Sequence, residues 1–107
     1  MVAKFDARSG KITVDQHYRT NVDNVFAIGD LVAGPMLAHK ASEEGVAVAE
    51  AIANGTPAKP LSKFIPGVVY TDPEVGWVGM SQEDAASAKI PFKVGQVAFR
   101  ANGRALA

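Results

Sequence analysis

The residues best placed to do chemistry lie between Val25 and His39. Four consecutive apolar residues, Val25-Phe26-Ala27-Ile28, run into Gly29-Asp30, the pattern of a strand buried on both faces that stops at a glycine. A carboxylate there stands at the carboxyl edge of a sheet, where open α/β folds bind their ligands, and Asp30 can accept hydrogen bonds from a polyol. The alternative for Asp30 is a loop carboxylate that caps its own turn. Shortly after, a helix start over Pro35 to His39 presents backbone N–H groups without intrahelical partners, at the positive end of the macrodipole. That end suits an anion or an electron-rich carbonyl. One ligand with hydroxyls at one end and a polarised carbonyl farther along would satisfy both places.

Other candidates carry less. His17 and His39 have no Ser, Cys or metal-ligand partner at a suggestive spacing, and a histidine in the first turn of a helix is more often structural or exposed than catalytic. Glu43-Glu44 reads as a solvated helix face rather than an acid/base dyad, and Trp77 as a core or interface residue. No catalytic residue and no metal site is assigned. The chain has no cysteine, which excludes disulfides, thiolate zinc sites and thiol redox chemistry from these residues. A GxGxxG turn, a Walker loop and a nucleophile elbow are also missing.

Several elements must position these residues. A helix is expected from about Pro35 to Asn54, because Ala38, Ala41, Gly45, Val48, Ala49 and Ile52 recur at spacings of three and four. Pro35 suits its first position and Gly55 the position just past its end. The small residues on this face leave room for close approach by sheet, backbone or ligand. Residues 57–66, with Pro57, Pro60 and Pro66, read as a linker. Beyond it, Val68 to Thr71 and Val75 to Met80 read as a β-hairpin around Asp72-Pro73. Ser81, with Asp84 three residues on, caps a short helix ending near Lys89, and a third strand is expected over Phe92 to Phe99.

The 107 residues balance 11 Lys+Arg against 11 Asp+Glu, and no basic cluster points to a nucleic acid or a membrane surface. With 48% hydrophobic and 21% charged residues, the composition is that of a globular protein. The N-terminus lacks a secretory apolar core, and no run reaches the length of a membrane span, so an intracellular setting is expected. The fold class expected is α/β and α+β in two incomplete pieces: strand, loop and helix, then a partial β-β-α-β unit. Two or three strands with uncovered edges are marginal alone.

These residues also carry a resemblance. Thr20-Asn21-Val22-Asp23-Asn24-Val25-Phe26-Ala27-Ile28-Gly29-Asp30 resembles the second flavin-binding motif of the FAD-dependent pyridine nucleotide disulfide oxidoreductases. Gly34-Pro35-Met36-Leu37-Ala38-His39-Lys40-Ala41, followed by Glu44-Gly45, is similar to the dihydrolipoyl dehydrogenase branch rather than to glutathione or mercuric reductases. Val69-Tyr70-Thr71-Asp72-Pro73-Glu74-Val75 with Trp77-Val78-Gly79 resembles the opening of that branch's dimerisation domain, and Phe99 to Ala105 its continuation.

The resemblance implies a middle-to-late segment of a longer, homodimeric subunit. Residues 1–56 would end the Rossmann-like FAD-binding domain, 57–66 link, and 67–107 begin dimerisation. It implies an FAD site in which Asp30 bonds the ribityl chain and the backbone of Met36, Leu37, Ala38 and His39 approaches the flavin ring. The NAD domain, the redox cysteine pair and the catalytic histidine of an H-P-T-x-x-E context would lie elsewhere, so these residues alone would be inactive. Partnership with 2-oxoacid dehydrogenase complexes and a cytoplasmic or mitochondrial-matrix setting are further implications. The rival expectations are another flavoprotein disulfide reductase, or a non-enzymatic association module built on the hairpin and Trp77.

Overall fold

The computed structural model describes residues 2–62 and 64–106, so Met1, Lys63 and Ala107 lie outside the described residues. Its largest element is the helix α1, Ala38–Asn54. The helix starts three residues after Pro35, with Leu37 extended at the N-cap, so Pro35 belongs to the approach loop and not to the first turn. At the other end Gly55 takes a left-handed conformation (φ 64°), which a glycine adopts without the clash a Cβ would bring.

The buried face of α1 is Lys40, Glu44, Val48 and Ala51. The expected face is therefore rotated: Ala38, Ala49 and Ile52 are exposed, while Gly45 is half-buried with a Cβ built on it 3.5 Å from Ile28 Cδ1. Helical spacing alone fits several adjacent stripes, and here the 40-44-48-51 stripe meets the rest of the chain. Val48 and Ala51 form a small core with Tyr18 and Ala58, and Phe26 and Ile28 pack against it.

Val25 to Ile28 is not a central strand in this chain. Phe26 makes an isolated antiparallel bridge to Arg19, with Thr20 N donating to Val25 O and Ala27 N to Tyr18 O, both at 3.0 Å. Ala27 is buried but Val25 is 43% exposed. A consecutive apolar run looks two-sided only if layers cover both faces, and among the described residues just one face meets α1. Tyr18 sits at a left-handed φ of 62°, in a turn where Asp15 Oδ1 accepts from His17 N and Arg19 N at 2.8 and 3.0 Å.

Residues 57–66 contain no helix or strand among those described, yet they are not loose. Ala58 is buried, and its carbonyl meets His17 Nδ1 at 2.7 Å. Leu61 N donates to the Tyr18 hydroxyl at 3.1 Å.

The hairpin is shorter than expected: β1, Gly67–Val69, pairs antiparallel with β2, Val75–Trp77, in the register Gly67↔Trp77, Val68↔Gly76, Val69↔Val75. The Asp72-Pro73 peptide in its connection is cis. Helix α2, Gln82–Ser87, begins where the cap predicts, with Asp84 N donating to Ser81 Oγ at 3.0 Å and Ser81 Oγ donating to Asp84 Oδ2 at 2.9 Å. It ends two residues before Lys89, which has a positive φ of 56°. The third strand is absent from the described residues. Phe92 to Ala98 has no regular structure, and Phe99–Ala101 is a 3-10 turn: the sheet stops at β1 and β2, and among the described residues no neighbouring edge supplies this segment with the ladder a strand requires.

Candidate functional site

Gly29 begins a 3-10 turn, Gly29–Leu31, that lies on the first two turns of α1. Gly29 has φ +66°, and a Cβ built on it would stand 3.1 Å from the Ala41 Cβ. Glycine is required twice over at this point, by conformation and by proximity.

Both backbone groups of Gly29 are held by one buried ion pair. Glu44 Oε2 accepts from Gly29 N at 2.6 Å, Lys40 Nζ donates to Gly29 O at 3.3 Å, and Lys40 Nζ lies 2.9 Å from Glu44 Oε1. The two side chains are each 4% exposed. Lys11 Nζ donates to the Asp30 carbonyl at 2.5 Å, and Ile12 N to Leu31 O at 2.7 Å. The turn is thus tied to α1 on one side and to the N-terminal segment on the other.

Of the residues expected to form a site, Asp30 is exposed at the middle of this turn. Its side chain makes no hydrogen bond among the described residues. Met36, Ala38 and His39 are exposed and Leu37 half-buried, and Leu37 gives the helix no side-chain cap. The packing of the turn on α1 brings Asp30 and the helix start to one region. The His39 side chain is engaged elsewhere: its Nε2 stands 2.9 Å from the Pro66 carbonyl. It borders a cavity of about 270 Å³ that Glu43, Leu61 and Phe64 also line.

Sequence reasoning missed Lys40 and Glu44. Glu43 is exposed as expected, but Glu44 is 3% exposed and not part of a solvated face. The signal was available, since Lys40, Glu44, Val48 and Ala51 follow spacings of four, four and three and so share one stripe of the helix.

The arrangement can take an elongated ligand. A carboxylate without a hydrogen-bond partner among the described residues offers acceptors for hydroxyls, and the start of a 17-residue helix offers N–H donors and positive potential. Those donor and acceptor sets fit a flavin dinucleotide, with its polyol chain and ring carbonyls. No group of three or more His, Cys, Asp or Glu able to hold a metal occurs among the described residues. No helix there is long and apolar enough to cross a membrane.

Comparison with known proteins gives two family matches. Residues 3–45 match the profile of pyridine nucleotide-disulphide oxidoreductases, and residues 65–107 that of the dimerisation domain of the same proteins. The chain is 52% identical over 97 residues to a dihydrolipoyl dehydrogenase of Halobacterium salinarum, covering 91% of this chain and 20% of that protein. It is 48% identical to the mitochondrial dihydrolipoyl dehydrogenase of Canis lupus familiaris and 47% to that of Homo sapiens, covering in each case 90% of this chain and 19% of the relative. The chain therefore spans about a fifth of the length of the curated relatives it matches.

Proposed function

We propose, from the premise that this chain belongs to the pyridine nucleotide-disulphide oxidoreductase family, that it is the part of a dihydrolipoyl dehydrogenase that completes the FAD cradle and begins the dimer interface. Residues 1–56 serve the cofactor, 57–66 connect, and 67–107 serve dimerisation. The observation that carries this reading is the pinned Gly29–Leu31 turn, which offers the Asp30 carboxylate beside the start of α1.

Asp30 would hold the ribityl hydroxyls through charge-assisted hydrogen bonds. The backbone of Met36, Leu37, Ala38 and His39 would lie along the ring, where the helix terminus favours negative charge on its carbonyl edge. When bound, FAD supplies electron transfer between a redox disulfide and NAD. This chain has no cysteine, so the disulfide belongs to another part of the protein, as do the NAD domain and the catalytic base. The overall reaction is oxidation of dihydrolipoamide with reduction of NAD, in the service of 2-oxoacid dehydrogenase complexes. The setting proposed is cytoplasm or mitochondrial matrix.

The test uses the complete subunit that carries this segment. Asp30→Ala should weaken FAD retention by about 1.5–3 kcal/mol, the worth of a hydrogen bond to a charged group, read as flavin absorbance remaining after dialysis. Unchanged occupancy would reduce Asp30 to a turn residue and remove the main support for the reading.

A further inference from the structure

We infer that Lys40 and Glu44 are positioning residues that set the direction of the Asp30 carboxylate by clamping the Gly29 peptide groups. The inference deepens the reading of Asp30 as a flavin contact and rests on it. Neither residue reaches the ligand region itself, since both side chains are 4% exposed beneath the turn.

Three observations carry it. The pair is bound to the turn at both backbone groups of Gly29, N–H to Glu44 and carbonyl to Lys40, so Glu44 holds the Ile28–Gly29 peptide and Lys40 the Gly29–Asp30 peptide, and the two planes that meet at the left-handed Gly29 are fixed from one helix face. The pair also runs against the helix. Lys40 is the third residue of α1, where the macrodipole disfavours a cation, and a lysine placed before its glutamate at this spacing is the weaker order. Helix stability thus gives no reason for these charges to be here. Burial gives none either, because a buried ion pair is often no better than apolar residues of the same size. What an apolar pair cannot do is hold a left-handed glycine by its N–H and its carbonyl. Lys40 further packs beneath the approach loop, its Cε 3.1 Å from a Cβ built on Gly34, so the clamp also touches the segment that leads to Met36.

The test is a double-mutant cycle on FAD affinity in the complete subunit, with flavin-stripped apoprotein titrated by FAD. Two backgrounds grade the clamp: Lys40→Met with Glu44→Gln, which removes the charges and the donor to the Gly29 carbonyl but keeps an acceptor for Gly29 N–H, and Lys40→Met with Glu44→Leu, which removes the acceptor as well. Asp30→Asn should raise the dissociation constant about tenfold in the parent protein and about threefold in the Gln background, where only the Gly29 N–H contact is kept. In the Leu background it should change by less than about twofold, on a dissociation constant already raised about tenfold. The melting temperatures of the two apoproteins should agree to within a few degrees, which a general loss of structure would not allow.

An equal Asp30→Asn effect in all three backgrounds, or parent-like affinity in the Leu background, overturns the clamp while leaving the flavin site intact. No Asp30→Asn effect in the parent protein overturns the flavin reading of Asp30, and the clamp with it. Should the Leu background fail to fold, amide exchange in the parent protein decides: a protected Gly29 N–H supports the clamp, and exchange at the unstructured rate refutes it.

Discussion

Gly29 shows how much of the site depends on one missing side chain. Its φ of +66° and the 3.1 Å approach of the Ala41 Cβ penalise any substituent through backbone strain and crowding together. Gly29→Ala should therefore destabilise the protein by about 1–3 kcal/mol, measured as a shift in denaturant midpoint without a change in slope. A neutral result would mean that the turn can flip away from α1. Two exposed carboxylates make a different point. Asp6 is held below its ordinary value of 3.8 by Ser9 N–H, the Ser9 hydroxyl and Arg8 N–H. Asp15 is lowered by Arg19 N–H, with His17 N–H and the nearby His17 and Arg19 charges adding to it. In both the folded state prefers the ionised form, so their contribution to the local turns is present above 3.8 and is lost as pH falls through the lowered values. Carboxyl carbon shifts followed by NMR should place both titrations below 3.8, and midpoints at or above it would show that the turns are not formed in solution.

At the scale of elements, the hairpin is organised by a cross-strand pair of unequal partners. Gly67 is buried although it has no side chain, because the Trp77 indole opposite lies over it. A Cβ at Gly67 would collide with the Trp77 ring. Gly67→Ala should thus expel the indole from the strand pair, an effect that intrinsic fluorescence can follow cleanly because the chain has 1 Trp. A red-shifted, more quenchable emission is expected; an unchanged spectrum would mean that the indole does not cover Gly67. Helix α2 depends on a local device instead, the reciprocal Ser81 and Asp84 contacts. It buries only Ala85, so its cap matters more than its packing.

The whole molecule is extended, with a radius of gyration of 18.2 Å and axes of 56 × 34 × 26 Å, where a compact chain of this length would have about 13 Å. Its core of Tyr18, Val48, Ala51 and Ala58 is small, and after Gly67 Ala85 alone is buried among the described residues. Val69, Tyr70, Val75, Trp77, Val78 and Met80 are all exposed. Faces of that kind promote pairing with other chains, in keeping with the match of residues 65–107 to a dimerisation domain. The 107-residue chain in isolation should therefore self-associate, with a sedimentation coefficient that rises with concentration. Slow amide exchange should be confined to α1 and the segments packed on it. A monomer at high concentration with protected hairpin amides would contradict this.

What the sequence determined by itself is what a few neighbouring residues can settle. The stop of α1 at Gly55, the Ser81 cap and the antiparallel hairpin around Asp72-Pro73 rest on contacts within ten positions along the chain, so their composition is enough to read them. Tertiary structure decided the phase of α1, the fate of Val25 to Ile28 and Phe92 to Phe99, and the burial of Lys40 and Glu44. Each of these depends on a surface supplied from far along the chain. An apolar run becomes a strand only where an edge is free to pair with it, and a charged helix stripe turns inward only where a backbone waits to be bonded. That backbone is the Gly29 peptide, 15 residues before Glu44.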